Sequence, residues 1–131
     1  MSESGPWQVL IVDDARLFRY LLRDGLRSRF PAVEVMQAEN LAEGYRNAKE
    51  SHPKLVLLDI SLPDGNGLEL ARRIRDEVPG VIVCICTIHD YPEYRQAAAD
   101  SGAACFISKQ GTCWSDTENL IRRVFESESI G

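Results

Sequence analysis

Two spacings of apolar residues alternate along the chain. Five short runs, Gln8–Val12, Val33–Gln37, Leu55–Ile60, Val81–Thr87 and Ala104–Ser108, are rich in Val, Ile, Leu and Cys and predict β-strands. The third and fourth are almost wholly apolar, as expected of central parallel strands covered on both faces. Segments of helical period lie between the runs. In the first, Leu17, Tyr20, Leu21 and, further on, Leu26 fall on one side, the stripe expected to face the core, with Arg16, Arg19, Arg23 and Asp24 interleaved. In the third, the pattern is Leu68, Leu70, Ala71, Ile74. Asn40 with Glu43, Asp90 with Glu93, and Ser115 with Glu118 have the spacing of helix-starting capping boxes. Gly80 and Gly102 stand where left-handed caps or turns would end the third and fourth helices, and Leu62–Gly67 is dense in turn residues.

Strands recur roughly every 22–26 residues with a helix between each pair, so the ladder is (βα)5. Such alternation implies right-handed crossovers and a parallel sheet. The predicted class is α/β: a doubly wound, flavodoxin-like five-stranded parallel sheet of order 2-1-3-4-5. In that order the topological switch point lies between strands 1 and 3, and ligands bind beyond their carboxyl ends.

Composition narrows the reading without changing it. The 131 residues fit one domain, with a core of about residues 8–125 and short tails. A net charge of −5 argues against direct nucleic-acid binding, which needs clustered Lys and Arg. The longest apolar run, Val81 to Cys86, is too short for a membrane span, and the first residues lack a signal-peptide pattern, so a cytoplasmic location is expected. Four cysteines without a CxxC pair predict buried structural thiols rather than a metal site or a disulfide framework. Cys84 and Cys86 should share one face of a strand and pack together against helices.

The chemistry collects at strand ends. Strand 1 ends in Val12-Asp13-Asp14, strand 3 in Leu58-Asp59, strand 4 in Thr87 and strand 5 in Ser108-Lys109. Three carboxylates therefore converge at the switch point although 45 positions separate Asp14 from Asp59. Like charges so close need neutralising, and a hard cation such as Mg2+ (or Mn2+) accepts a few carboxylates plus phosphate oxygens. With an ammonium and a hydroxyl in the same crevice, the site could stabilise a phosphoryl group. Each residue alone has a plain role as cap, turn or solvated lysine; four of five strands ending this way is a constellation.

These motifs give the chain a clear resemblance. Ile11-Val12-Asp13-Asp14, Leu57-Leu58-Asp59 through Pro63-Asp-Gly-Asn-Gly67, Thr87, and Gly102-Ala103 leading to Phe106-Ile-Ser-Lys109 are similar to the receiver domains of bacterial two-component response regulators, from about Gln8 to Phe125. The stretch Pro63–Arg73 most resembles receivers that precede a helix-turn-helix output domain. The resemblance implies a regulatory phosphoacceptor rather than an enzyme. Asp59 would take a phosphoryl group from a sensor histidine kinase or phosphotransfer protein. Mg2+ would be held by Asp13, Asp14, Asp59 and the backbone carbonyl of Ser61. Lys109 and Thr87 would contact phosphoryl oxygens, Thr87 and Phe106 would form the switch, and Ser61 and His89 would tune phosphate lifetime. The implied partners are a downstream output domain or protein and a phosphorylation-dependent homodimer, docked through the helix 4–strand 5–helix 5 face near Tyr91, Tyr94, Phe106, Trp114 and Val124.

Two positions depart from the family pattern. Gln110 follows Lys109 where many relatives carry a cis proline, and a cis bond to another residue costs about 2.5–4 kcal/mol. Phe106 replaces a frequent tyrosine and offers no hydroxyl to the inward state. Haloacid-dehalogenase-like phosphatases place an Asp-x-Asp on strand 1, and flavodoxins a phosphate loop there; Asp13-Asp14 matches neither. The remaining rival is a receiver-like interaction module that acts without phosphorylation.

Overall fold

The computed structural model describes residues 7–109, 118–119 and 121–124. In chain order the elements are β1 (Gln8–Val12), α1 (Arg16–Arg29), β2 (Glu34–Ala38), α2 (Leu41–Ser51), β3 (Leu55–Leu58), β4 (Ser61–Leu62), β5 (Gly65–Asn66), α3 (Gly67–Glu77), β6 (Ile82–Thr87), α4 (Pro92–Asp100) and β7 (Cys105–Ser108). β4 and β5 form a separate two-residue hairpin. The main sheet is parallel throughout in the order β2-β1-β3-β6-β7, so the order 2-1-3-4-5 expected of the five long strands is the one observed. Val12 lies opposite both Ala38 and Leu58, and Thr87 lies opposite Ser108. The strands that carry the polar residues therefore finish at one end of the sheet.

Strand alternation divides the core in two. Leu10, Val12, Val56, Leu58, Val83 and Ile85 pack under α2, α3 and α4, against Ala48, Leu70, Ala71, Ile74 and Ala98 among others. Val9, Ile11, Leu55, Leu57, Cys84, Cys86 and Ile107 form the opposite layer with Leu22 and Leu26 of α1 and with Ile121. All four pattern residues of α3, Leu68, Leu70, Ala71 and Ile74, are buried as expected. Asn40 caps α2 by accepting from the Glu43 amide at 2.8 Å, while the Glu43 carboxylate reaches the Glu39 amide, one residue earlier than a capping box requires. Gly80 and Gly102 have φ of +83° and +91°, the conformation their positions implied.

Several expectations are corrected. In α1 the stripe Leu17, Tyr20, Leu21 points outward, these residues being 70%, 52% and 60% exposed, and only Leu26 of the expected set is buried. The buried residues of α1 are Arg19, Leu22 and Leu26, and Phe18 packs against the same layer. Asp90 does not cap α4: Tyr91 is the N-cap with Pro92 at the first helical position, and the Asp90 carboxylate takes the Arg95 guanidinium at 2.6 Å. Cys84 and Cys86 do share a face, but Cys84 stands opposite Cys105 with 4.6 Å between Cα atoms, and the two are disulfide-bonded. Cross-strand register, invisible to spacing along one strand, decides that pairing. Ser115 of the Ser115–Glu118 box, Cys113, Trp114 and the Lys109–Gln110 bond lie outside the described residues. No helix among the described residues is long and apolar enough to cross a membrane.

Candidate functional site

The crevice is built by backbone hydrogen bonds that continue just past the strands. The Asp13 amide donates to the Ala38 carbonyl and the Asp59 amide to the Val12 carbonyl, each at 3.0 Å, so both residues sit one step beyond β1 and β3. Asp13 then turns the chain into α1, its Oδ1 accepting from the Ala15 amide at 2.8 Å. Asp59 likewise ends its own ladder: its Oδ1 takes the Ile60 amide at 2.7 Å. At the far side, the Lys109 amide donates to the Thr87 carbonyl at 2.8 Å, which carries β7 register into the site.

The loop behind Asp59 is held at two points. The Gly67 amide donates to the Ile60 carbonyl at 2.7 Å, and a Cβ on Gly67 would stand 1.9 Å from the Asp59 carbonyl oxygen. Only glycine allows that approach. At the hairpin tip, the Asp64 carboxylate accepts from the Leu41 and Ala42 amides at 2.8 and 3.1 Å, and so caps α2 from outside. These backbone bonds, the Leu41 amide's first, hold the Asp64 carboxyl below its ordinary pKa.

Asp13, Asp14 and Asp59 each offer a carboxylate oxygen, and these atoms lie within 4.8 Å of one another. Asp13 and Asp59 are buried, whereas Asp14 is exposed. The Lys109 ammonium bridges the two buried groups, 2.6 Å from Asp13 Oδ2 and 3.2 Å from Asp59 Oδ2, and lies 4.1 Å from the centroid of the Phe18 ring. Burial pushes the Asp13 carboxyl above its ordinary pKa, and the Asp59 charge adds to this, against the opposing pull of Lys109 and the Ala15 amide. Burial alone would lower the Lys109 pKa, but Asp13 and Asp59 together outweigh it and hold it above the usual value. The site is thus anion-rich, with one ammonium shared between two carboxylates.

Thr87 is fully buried, and its hydroxyl accepts from the His89 amide at 3.3 Å. Ser61 and His89 meet across the mouth, Oγ to Nε2 at 3.1 Å, with the His89 ring 5.5 Å from that of Tyr94. Phe106 is half-buried against the α2–α4 layer, with the Arg95 guanidinium 4.6 Å from its ring centroid. Tyr94 packs against the same layer, Val124 against the opposite one, and Tyr91 is 56% exposed. Of the site and docking-face residues named from the sequence, all but Trp114 are therefore placed. The Ser61–His89 contact, the Gly67 approach and the ring of Phe18 beneath Lys109 have no signature in the sequence.

Oxygen donors of this kind suit a hard divalent cation, and a carboxylate, an ammonium and a hydroxyl at neighbouring strand ends are the groups that suit a phosphoryl group. The chain is similar to several known proteins. The chemotaxis protein CheY of Halobacterium salinarum is 35% identical over 102 residues, 78% of this chain and 83% of that protein. The KDP operon transcriptional regulatory protein KdpE of Escherichia coli is 36% identical over 77% of this chain, which spans only 44% of KdpE. A CheY-like response regulator receiver domain from Methanospirillum hungatei superposes with a TM-score of 0.84 at 27% identity, covering 97% of this chain and all of that one. The sequence profile described as response regulator receiver domain matches residues 9–124, and with the fold and the acidic crevice already in place the chain belongs to that family.

Proposed function

We propose that this receiver domain is a Mg2+-dependent phosphoacceptor whose Asp59 takes a phosphoryl group from a phosphohistidine on a sensor kinase or phosphotransfer protein. The observation that carries this reading is the Lys109 ammonium held between Asp13 and Asp59, with buried Thr87 at the adjoining strand end. In the transfer, an Asp59 carboxylate oxygen forms a bond to phosphorus while the P–N bond to the donor imidazole breaks. Lys109 pairs with one phosphoryl oxygen and the Thr87 hydroxyl donates to another. Asp13, Asp14, Asp59 and the Ser61 carbonyl would hold Mg2+ (or Mn2+), which supplies charge neutralisation for the phosphoryl oxygens. The chain's own contribution is position and field, the two requirements of phosphoryl transfer.

Downstream, the phosphate shifts a two-state equilibrium. Thr87 moves to the phosphoryl group and Phe106, on the neighbouring strand, turns inward, which remodels the surface of α4 and β7 for an output domain, a partner protein or a second copy. Ser61 and His89, hydrogen-bonded across the mouth, stand where a hydrolytic water would enter and set how long the phosphate lasts. The exposed stripe Leu17, Tyr20, Leu21 follows Asp14 along α1 and suits an apolar helix of the phosphodonor.

The test is to incubate the chain with Mg2+ and acetyl phosphate or phosphoramidate and weigh it intact beside Asp59→Asn. An added, labile mass of about 80 Da in the native sequence alone supports the reading. No adduct with any donor would favour the rival, an interaction module that acts unphosphorylated.

A further inference from the structure

Arg19 is the one arginine of α1 that faces the core, and a guanidinium is costly to bury unless its contacts are specific. Its Nη1 donates to the main-chain carbonyl of Asp13 at 2.7 Å. Its Nε donates to Gln37 Oε1 at 3.1 Å, and its Nη2 lies 3.9 Å from a carboxylate oxygen of Glu39. Gln37 is on β2, paired with Ile11 of β1. The guanidinium therefore spans from the end of β2 to the loop after β1 that carries Asp13 and Asp14.

That contact has a geometric consequence. The peptide between Asp13 and Asp14 is planar, so fixing the direction of the Asp13 carbonyl fixes where the Asp14 Cα begins. Asp13 is already tied by its amide to Ala38, by its Oδ1 to Ala15 and by its Oδ2 to Lys109. Arg19 adds a tie at the carbonyl, and it is the one that governs Asp14, the exposed member of the carboxylate trio. We infer that Arg19 is a positioning residue for the divalent-cation site: through the Asp13 carbonyl it holds the Asp13–Asp14 peptide so that the carboxylates converge. This rests on the reading of Asp13, Asp14 and Asp59 as that site.

Charge and position predict opposite signs, which makes the inference testable. If Arg19 acted only as a nearby positive charge, its removal would tighten cation binding. If it acted only on stability, affinity of the folded chain would not move. As a positioning residue, its loss weakens binding, by about tenfold or more as is typical when a group that orients a metal ligand is removed.

The experiment titrates the unphosphorylated chain with Mn2+ and reads free ion by electron paramagnetic resonance, for the native sequence, Arg19→Gln, Arg19→Lys and Arg27→Gln. Arg27→Gln removes a charge from the exposed last turn of the same helix and should leave the affinity unchanged. Arg19→Gln should raise Kd by about tenfold or more, with Arg19→Lys between. The Mg2+ concentration giving half-maximal acetyl phosphate reaction should rise in parallel, while the rate at saturating Mg2+ stays within about twofold. An Arg19→Gln affinity equal to or tighter than native overturns the inference. Should Arg19→Gln not fold, Gln37→Leu removes only the Nε brace and should weaken Mn2+ binding in the same direction; unchanged affinity there overturns it too. A native chain that binds no Mn2+ overturns both the cation-site reading and the inference, whereas native binding with insensitive variants overturns the inference alone.

Discussion

Gly67→Ala is the substitution whose cost can be worked most directly. The new Cβ would stand 1.9 Å from the Asp59 carbonyl oxygen, 2.9 Å from its carbonyl carbon and 3.2 Å from the Ile60 Cα. Real Cβ contacts essentially never fall below 3.0 Å, so the start of α3 and the Asp59 peptide must separate by at least 3.0 − 1.9 = 1.1 Å. All three neighbours are backbone, so no flexible side chain can yield. Overpacking of this kind costs about 1–3 kcal/mol. Losing the 2.7 Å bond from the Gly67 amide to the Ile60 carbonyl adds about 0.5–1.5 kcal/mol. The expected destabilisation is therefore about 1.5–4.5 kcal/mol, read as a lower urea midpoint at unchanged slope. Chemistry should suffer separately, because a misplacement near 1 Å at a reacting group can cost about 100-fold in rate. The rate of acetyl phosphate reaction, measured below the unfolding transition, reports this. Gly80→Ala is the control: nothing lies within 4 Å of its Cβ, so only the strain of φ +83° is felt and the reaction rate should hold. A Gly67→Ala chain within 0.5 kcal/mol of native and equally reactive would refute the argument.

Three further outcomes follow from the same geometry. Lys109→Ala leaves the buried Asp13 and Asp59 without their shared cation and should lower metal-free stability by about 3 kcal/mol; millimolar Mg2+ should restore part of it in urea melts, and a chain indifferent to Mg2+ would contradict this. Burial pushes the Cys86 thiol up to about 12, so it should resist alkylation at pH 8 until urea unfolds the chain, read by peptide mapping. Because the folded value lies above that of an unfolded thiol, this contribution to stability is present at neutral pH and is lost as pH rises toward 12. Replacing Leu17, Tyr20 and Leu21 together by Ser should change stability by less than about 1 kcal/mol, since all three are exposed, yet slow transfer from a phosphohistidine donor and not from acetyl phosphate. Equal slowing with both donors would place the effect in the crevice instead.

The fold was legible where burial is two-sided. β3 and β6 are nearly all apolar because helices cover both faces, and the end at Thr87 follows directly. Strand ends set by side chains were less so: β3 stops at Leu58, short of Ile60, because the Asp59 carboxylate takes the Ile60 amide that a ladder would use. β2 begins one residue late because the Val33 amide is spent on the Phe30 carbonyl in the turn after α1. In α1 the stripe Leu17, Tyr20, Leu21 was the wrong face, since the inner face contains Arg19, whose charge reads as solvated. The convergence of Asp13, Asp14, Asp59, Thr87 and Lys109 was legible because strand ends are easy to find and parallel order brings them level. What spans elements through side chains, the Arg19 brace, the Ser61–His89 contact and the Cys84–Cys105 pair, leaves no periodic trace.

Asp59 is one of three neighbouring carboxylates, so the decisive measurement is one that locates the acyl phosphate in the native sequence. The chain is treated with Mg2+ and acetyl phosphate, reduced with borohydride, which converts a phosphorylated aspartate to homoserine, and digested for mapping by tandem mass spectrometry. Homoserine at position 59 and at neither Asp13 nor Asp14 is the predicted result. Homoserine at Asp13 or Asp14, or at none of the three, would contradict it.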